Sequence, residues 1–422
     1  MSYSIQRKSS LEQNKLYSED TKINDWYRFV LSFPPHLVRD YIHKFNLSTN
    51  QTVLDPFCGT GTTLVECKKL GIPSFGIEAN PVVKMAAQTK VNWDIDYNKL
   101  LKHSILVAQK ANNLIRHSKD DFKVLDEEKS KLIINNSISP IPLHKSLILL
   151  EVLESLREEQ FYDIERTAFA KQLVFSYSNL KFGPEVGVGR KKKIDVEVVD
   201  LWLNQIKKMV SDLKEYQLFK KVKSKIFLGD SRTFENFMSQ KSIDAVITSP
   251  PYPNEKDYTR TTRLESVILG FMKTKADLRA AKEKLIRSNT RNIYKGDNDK
   301  DWIKSFKQIT DLADNIESRR LELGKTSGFE RLYHKVVRNY FGGMARHLSE
   351  LQSILNPGAQ LAYVVGDQAS YFRIPIRTGK IISEIAVDLG YELVGIDLFR
   401  TRLSTVTKEH LREEVVLLKW RG

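Results

Sequence analysis

The stretch Thr52-Val53-Leu54-Asp55-Pro56-Phe57-Cys58-Gly59-Thr60-Gly61-Thr62-Thr63 decides the fold class. A short apolar strand, Thr52 to Leu54, runs into an acid, a proline and a glycine-rich turn. A helical run, Leu64 to Leu70, follows and is closed by Gly71. Ser74-Phe75-Gly76-Ile77 reads as a second strand ending in Glu78. Strand, turn, helix and strand make the unit of an open α/β sheet, which takes its ligands at the carboxyl ends of the strands. Gly59 and Gly61 let a ligand approach the backbone, and the Glu78 carboxylate suits a pair of ribose hydroxyls. The turn is not G-x-G-x-x-G and lacks the lysine of a phosphate-binding loop, so it points to an adenosine ligand without a pyrophosphate.

A second stretch carries chemistry. The β-branched run Ile243-Asp244-Ala245-Val246-Ile247 leads through Thr248 into Ser249-Pro250-Pro251-Tyr252. Each proline fixes its own φ and gives up its N–H, so the carbonyls of this turn are poorly used by a sheet. A hydroxyl (Ser249), a carbonyl (Pro250) and an aromatic face (Tyr252) are thereby held together at the mouth of a strand. An exocyclic amino group on a flat ring could be accepted by the first two and stacked on the third. Taken alone, the turn is equally an ordinary loop after a strand. A third tip, Lys225-Ile226-Phe227-Leu228-Gly229-Asp230, ends in an acid that could accept from an adenine amino group or close a plain Asx turn.

The rest of the chain is read around these points. Residues 1–20 are polar. Trp26-Tyr27-Arg28-Phe29-Val30 precedes Phe33-Pro34-Pro35, which opens a helix patterned by Leu37, Tyr41 and Ile42 with Ser32 just outside it. From about 97 to 222 the pattern is helical and charged, as in Leu147 to Leu156 and Val198 to Leu213. Between those helices, Tyr177 to Lys193 interleaves glycine, aromatic and cationic residues, as either a solvated loop or one that contacts phosphates. A helix is expected between Asp230 and Asp244. A second insertion, about 253 to 335, is rich in Arg and Lys, side chains among those that contact nucleic acid. A helix from Val336 to Leu355 is expected to stop at Asn356-Pro357-Gly358. Strand Leu361–Asp367, helix Gly379–Leu389 and strands Glu392–Leu398 and Glu414–Trp420 then complete a mostly parallel sheet with an antiparallel end.

Composition limits the function classes. The 422 residues are 41% hydrophobic with 20 Phe and 16 Tyr, enough for a sizeable core. No apolar run reaches the roughly 18–20 residues of a membrane span, and Met1 to Lys8 has no signal-peptide core. Cys58 and Cys67 cannot build a disulfide framework or a four-cysteine zinc site, so a reducing cytoplasm is expected. The net charge of +15 points to a polyanionic partner.

Together these residues resemble the DNA amino-methyltransferases, which methylate cytosine N4 or adenine N6 with S-adenosylmethionine (SAM). Asp55-Pro56-Phe57-Cys58-Gly59-Thr60-Gly61, continued by Thr62, looks like that family's SAM loop, and Ser249-Pro250-Pro251-Tyr252 like its catalytic tetrapeptide. Phe33-Pro34-Pro35 is similar to the segment that packs around the methionine moiety. The resemblance implies a ribose-holding role for Glu78 and an adenine-holding role for Asp230, with no metal. It covers about 24–96, 225–255 and 336–420, roughly half the chain. Serine at the first position of the tetrapeptide favours cytosine N4 over adenine N6. An RNA amino-methyltransferase has a similar core, but no RNA-binding appendage is recognisable.

The expected fold is a Rossmann-like SAM-dependent methyltransferase sheet with two largely helical insertions. Residues 1–96 would form the N-terminal segment and SAM-binding half, and 97–222 a helical insertion. Residues 223–255 would be the catalytic part, 256–335 a basic insertion that is a candidate for target recognition, and 336–422 the C-terminal part of the core. The sequence leaves open which insertion reads the DNA. The expected partners are double-stranded DNA and a cognate restriction endonuclease acting on the same site, with no membrane.

Overall fold

The computed structural model describes residues 16–28, 33–118, 122–183, 185–235, 237–254, 256–403 and 410–422. Its strands are β1 (Val53–Asp55), β2 (Ser74–Glu78), β3 (Leu180–Phe182), β4 (Val186–Val188), β5 (Ser224–Leu228), β6 (Ile243–Thr248), β7 (Leu355–Gly366), β8 (Glu392–Leu403) and β9 (His410–Lys419). Seven of them form one sheet in the order β5-β2-β1-β6-β7-β9-β8, and β3 and β4 pair separately as a hairpin. The strands from β5 to β7 run parallel to their neighbours, while β9 is antiparallel to both β7 and β8. The expected α/β sheet with an antiparallel end is what the chain forms. Its order reverses between β1 and β6, and an open α/β sheet binds ligands at that reversal.

Side chains alternate across the sheet because a strand has a period of two. Val53, Ala245, Ile247, Ala362, Val364, Val415 and Leu417 pack on one face with Leu37, Val38, Tyr41 and Ile42 of the helix Pro35–Lys44. Leu54, Val246, Leu361, Tyr363, Val365, Val416 and Leu418 face the other way, against the helices Tyr333–Leu351 and Thr378–Asp388. Each such Leu or Val contributes roughly 1.5–3 kcal/mol on burial. Pro34 is the N-cap and Pro35 opens the first helix, where a missing N–H costs nothing. Ser32, with Phe29 and Val30, lies outside the described residues.

The helices of the first insertion share one apolar core with Trp26, Tyr27 and the helix Pro81–Val91, centred on Phe169 and Trp202. Three expectations are corrected here. Among the described residues no helix fills the stretch between β5 and β6, which makes turns instead. There Phe234 is buried, and the Phe237 ring stacks 5.6 Å from that of Phe227, so tertiary contacts outweigh helical pattern. The helix expected to reach Leu355 runs on as a 3-10 turn to Ile354, but Asn356-Pro357-Gly358, expected as a stop ahead of a strand at Leu361, lies inside β7, where Ser242 and Lys241 already bond the carbonyls of Ile354 and Ser353. The stretch read as a loop before Arg190 contains the β3–β4 hairpin.

Candidate active site

The reversal point opens into a cavity of about 470 Å³. Phe33, Pro56, Phe57, Cys58, Gly59, Thr62 and Glu78 line one side, and Ser249, Pro250, Pro251 and Tyr252 another. Segments nearly 200 residues apart in sequence therefore meet in one space, because β1 and β6 are neighbours whose tips point the same way.

On the β1 side the turn is shaped by glycine. Gly61 has φ +80°, and a Cβ on it would come 3.2 Å from Ala87 Cβ on the helix Pro81–Val91. That glycine serves helix packing and lies outside the cavity wall, whereas Gly59 (φ +48°) is in the wall. At the tip of β2, Glu78 accepts from the Asn80 amide at 2.7 Å. Burial raises its carboxyl to about 7, against the pull of the Asn80, Gly59 and Ala79 amides.

Two expected cofactor residues stand differently from the rest. Asp55 is fully buried beneath the wall, where it accepts from Thr248 Oγ1 at 2.6 Å and the Phe57 amide at 3.2 Å. Burial pushes its carboxyl up to about 6. It joins the glycine turn to the residue before Ser249. Asp230 is also off the wall, which its neighbours Gly229 and Ser231 line instead. Arg232 holds the Asp230 carboxylate through Nε at 2.9 Å and Nη2 at 2.6 Å, and it also pairs with Asp299. An adenine amino group would have to share a carboxylate that already neutralises a buried guanidinium. Pro34 caps its helix and is likewise absent from the wall.

At the β6 tip, Ser249 donates its hydroxyl hydrogen to the Val364 carbonyl of β7 at 3.1 Å. Its side chain also hydrogen-bonds the Tyr252 hydroxyl, which leaves the oxygen one lone pair as an acceptor. Among the described residues nothing donates to the Pro250 carbonyl. The Tyr252 ring lies over Gly366, where a Cβ would come within 3.1 Å of Tyr252 Cε2.

Residues 4–89 match a family model described as a DNA methylase of the N6/N4 type. The Type II methyltransferase M.BsoBI of Geobacillus stearothermophilus is 28% identical over 93% of this chain and 83% of its own length. The Type II methyltransferase M.AvaI of a Nostoc species is 23% identical over 88% of this chain and 79% of its own. These likenesses support membership of the DNA amino-methyltransferase family. Both comparisons run through the insertions as well as the core. A crystal structure of TrmN from Thermus thermophilus, at 10% identity and a TM-score of 0.27, is spanned over only 48% of its length.

The cavity has wall residues that the sequence did not single out. Phe399, Arg400 and Arg402 of β8, Glu413 of β9, and Gln368 line the cavity. Arg400 grips Glu413 through Nε at 2.6 Å and Nη2 at 2.9 Å, while Arg402 donates to Gln368 Oε1 at 3.1 Å. The one available sequence signal was Glu413-Glu414 set directly before the apolar run Val415 to Leu418. Burial holds both Cys58 and Cys67 as thiols, their titration pushed far above the ordinary range. Among the described residues, no group of acidic, His and Cys side chains could hold a metal, and no helix is long and apolar enough to cross a membrane.

Proposed function

We propose that this chain transfers a methyl group from SAM to the exocyclic amino group of a base turned out of duplex DNA, with cytosine N4 as its target. The observation that carries the reading is the single cavity shared by the glycine turn, Glu78 and the Ser249–Tyr252 turn. Its volume of about 470 Å³ falls within the range of roughly 300–1,000 Å³ of small-molecule sites.

The residues on the β1–β2 side fit the cofactor. Glu78 offers a carboxylate for the ribose diol, Phe57 and Val83 offer apolar surface, and Gly59 leaves the backbone open to approach. When bound, SAM supplies a methyl group made electrophilic by its sulfonium. The chain's part is to present the nitrogen. An aromatic amino group is a poor nucleophile because its lone pair is conjugated with the ring. The Ser249 oxygen and the Pro250 carbonyl can take its two N–H groups and turn the lone pair toward the methyl group, acting by position and fixed dipoles. Tyr252 stacks on the base once it has left the helix. A serine hydroxyl is no base at neutral pH, so the surplus proton leaves to water after transfer. Cys58 lies on the cofactor side of the cavity as a buried thiol and Cys67 lies off the wall, so the Ser249 turn carries no cysteine nucleophile for attack at cytosine C5.

Ser249 supports cytosine over adenine as the target. The Type II character of the similar proteins supports a role as the modification partner of a restriction endonuclease that shares its site. The test is transfer of a labelled SAM methyl group to mixed-sequence duplex DNA and, separately, to total RNA. Label in DNA alone is expected; label in RNA alone would overturn the reading.

A further inference from the structure

The mouth of the cavity is framed by both insertions, which carry their charge very differently. In the second insertion, several cations are spent on nearby acids. Arg279 pairs with Glu283, Lys282 with Asp257, Arg287 with Asp297 and Arg320 with Glu317. Each such pair cancels the field of its own cation, whereas Lys256, Arg260 and Lys284 on the cavity wall have no carboxylate partner among the described residues.

Around the β3–β4 hairpin the exposed cations form one unpaired cluster. Lys181, Arg190 and Lys191 are exposed, and among the described residues none has a carboxylate partner. Lys192 and Lys193 donate only to backbone carbonyls, those of Gly189 and of Phe175 and Ser176. Lys181 lies across Gly189, its Cε 3.1 Å from where a Cβ would stand, so its ammonium sits beside the Arg190 run. The arm is also built to hold its shape. Asn179, 5% exposed, ties both ends of the hairpin. Its carbonyl accepts from the Gly189 amide at 2.8 Å, its side chain accepts from the Lys193 amide at 2.8 Å, and its amide nitrogen donates to Asn136 O and Ser139 Oγ. The inner side of the same hairpin, Phe182 and Val186, lines the cavity.

We propose that the β3–β4 hairpin and the Arg190–Lys193 run behind it grip the phosphates next to the target nucleotide, so that the first insertion holds the duplex over the cavity. This rests on the methyltransferase reading and goes beyond it by assigning the grip to one insertion. Unpaired, exposed cations on a fixed backbone release phosphate counterions on binding without first breaking an ion pair. Phe182 and Val186 then face the base that enters beneath.

The test compares two triple variants of the full chain by binding a mixed-sequence duplex at a series of salt concentrations. Lys181→Ala, Arg190→Ala and Lys191→Ala together should flatten the slope of log affinity against log salt by about 2–3, at about 0.9 per lost phosphate contact. The KM for DNA should rise about tenfold or more, with SAM affinity and kcat at saturating DNA retained. Arg279→Ala, Lys307→Ala and Arg320→Ala together remove as much charge from the second insertion and should leave the slope unchanged. A wild-type slope in the hairpin variant, or an equal loss in the control, overturns the assignment while leaving the methyltransferase reading intact. Tighter binding to total RNA than to the duplex overturns the choice of partner. A wild-type protein that binds no duplex overturns both.

Discussion

Thr248 donates its hydroxyl to Asp55 Oδ1 across 2.6 Å, and both side chains are fully buried. This bond joins the tips of β1 and β6, so it sets the distance between the glycine turn and the Ser249 turn. Thr248→Val keeps the shape and deletes the donor. The expected cost is about 1–3 kcal/mol of stability, since a buried acceptor loses its partner. Turnover should fall about 10–100-fold, because small misplacements of reacting groups are costly. Denaturant unfolding and single-turnover kinetics, with SAM affinity measured alongside, check this. Unchanged turnover would show that the bond is purely structural.

Ser249→Ala removes one of two acceptors for the amino group. A drop of about 10²–10³ in kcat is expected, in the range for losing one preorganised electrostatic contact. SAM affinity, read by calorimetry, should stay at the wild-type value. A parallel loss of SAM binding would place Ser249 in the cofactor site.

The Glu78 carboxyl, raised to about 7 by burial, gives two opposite pH trends. A carboxyl whose folded pKa exceeds its unfolded value stabilises the free protein most below the unfolded pKa, near 4.5. That contribution is lost as pH rises through about 7. A ribose diol is held by the ionised form, so SAM affinity should increase over the same interval and level off above it. Glu78→Gln should flatten the affinity profile and weaken binding at pH 8. Calorimetry from pH 5.5 to 8.5 decides it (a range chosen to bracket roughly 1.5 units on either side), and an affinity that falls with pH contradicts the assigned role.

Arg232 neutralises Asp230 and the buried Asp299 together. Arg232→Met leaves Asp299, 3% exposed, with only a longer contact to Arg346 at 3.8 Å, at an expected cost of about 3 kcal/mol. Lys307→Ala, which breaks an exposed pair with Asp311, should cost under about 1 kcal/mol. Similar unfolding midpoints for the two variants would contradict this.

The parts of the fold legible in the sequence were those written in contiguous residues. The strand, glycine turn, helix and Glu78 occupy one run, and the prolines after Ser249 restrict their own backbone, so both motifs could be read without knowing their neighbours. What could not be read depends on partners far along the chain. Arg232, two residues on, takes up the Asp230 carboxylate that the sequence offered to adenine, and Asp299, 67 residues beyond Arg232, holds it there. Turns replace the helix expected after Asp230 because Phe234 and Phe237 are drawn into packing. The charge of the second insertion was visible, but the pairing of part of it rests on tertiary contacts such as Lys282–Asp257. The Arg279–Glu283 spacing of four residues was a readable hint that some of that charge is internally paired.

The most direct measurement is mass spectrometry of nucleosides from duplex DNA incubated with SAM and either the wild-type protein or Ser249→Ala. The account predicts N4-methylcytosine from the wild type and its near disappearance in the variant. N6-methyladenine as the wild-type product would keep the shared cavity and the amino-group chemistry but contradict cytosine as the target. No methylated base in any duplex would contradict the central claim itself.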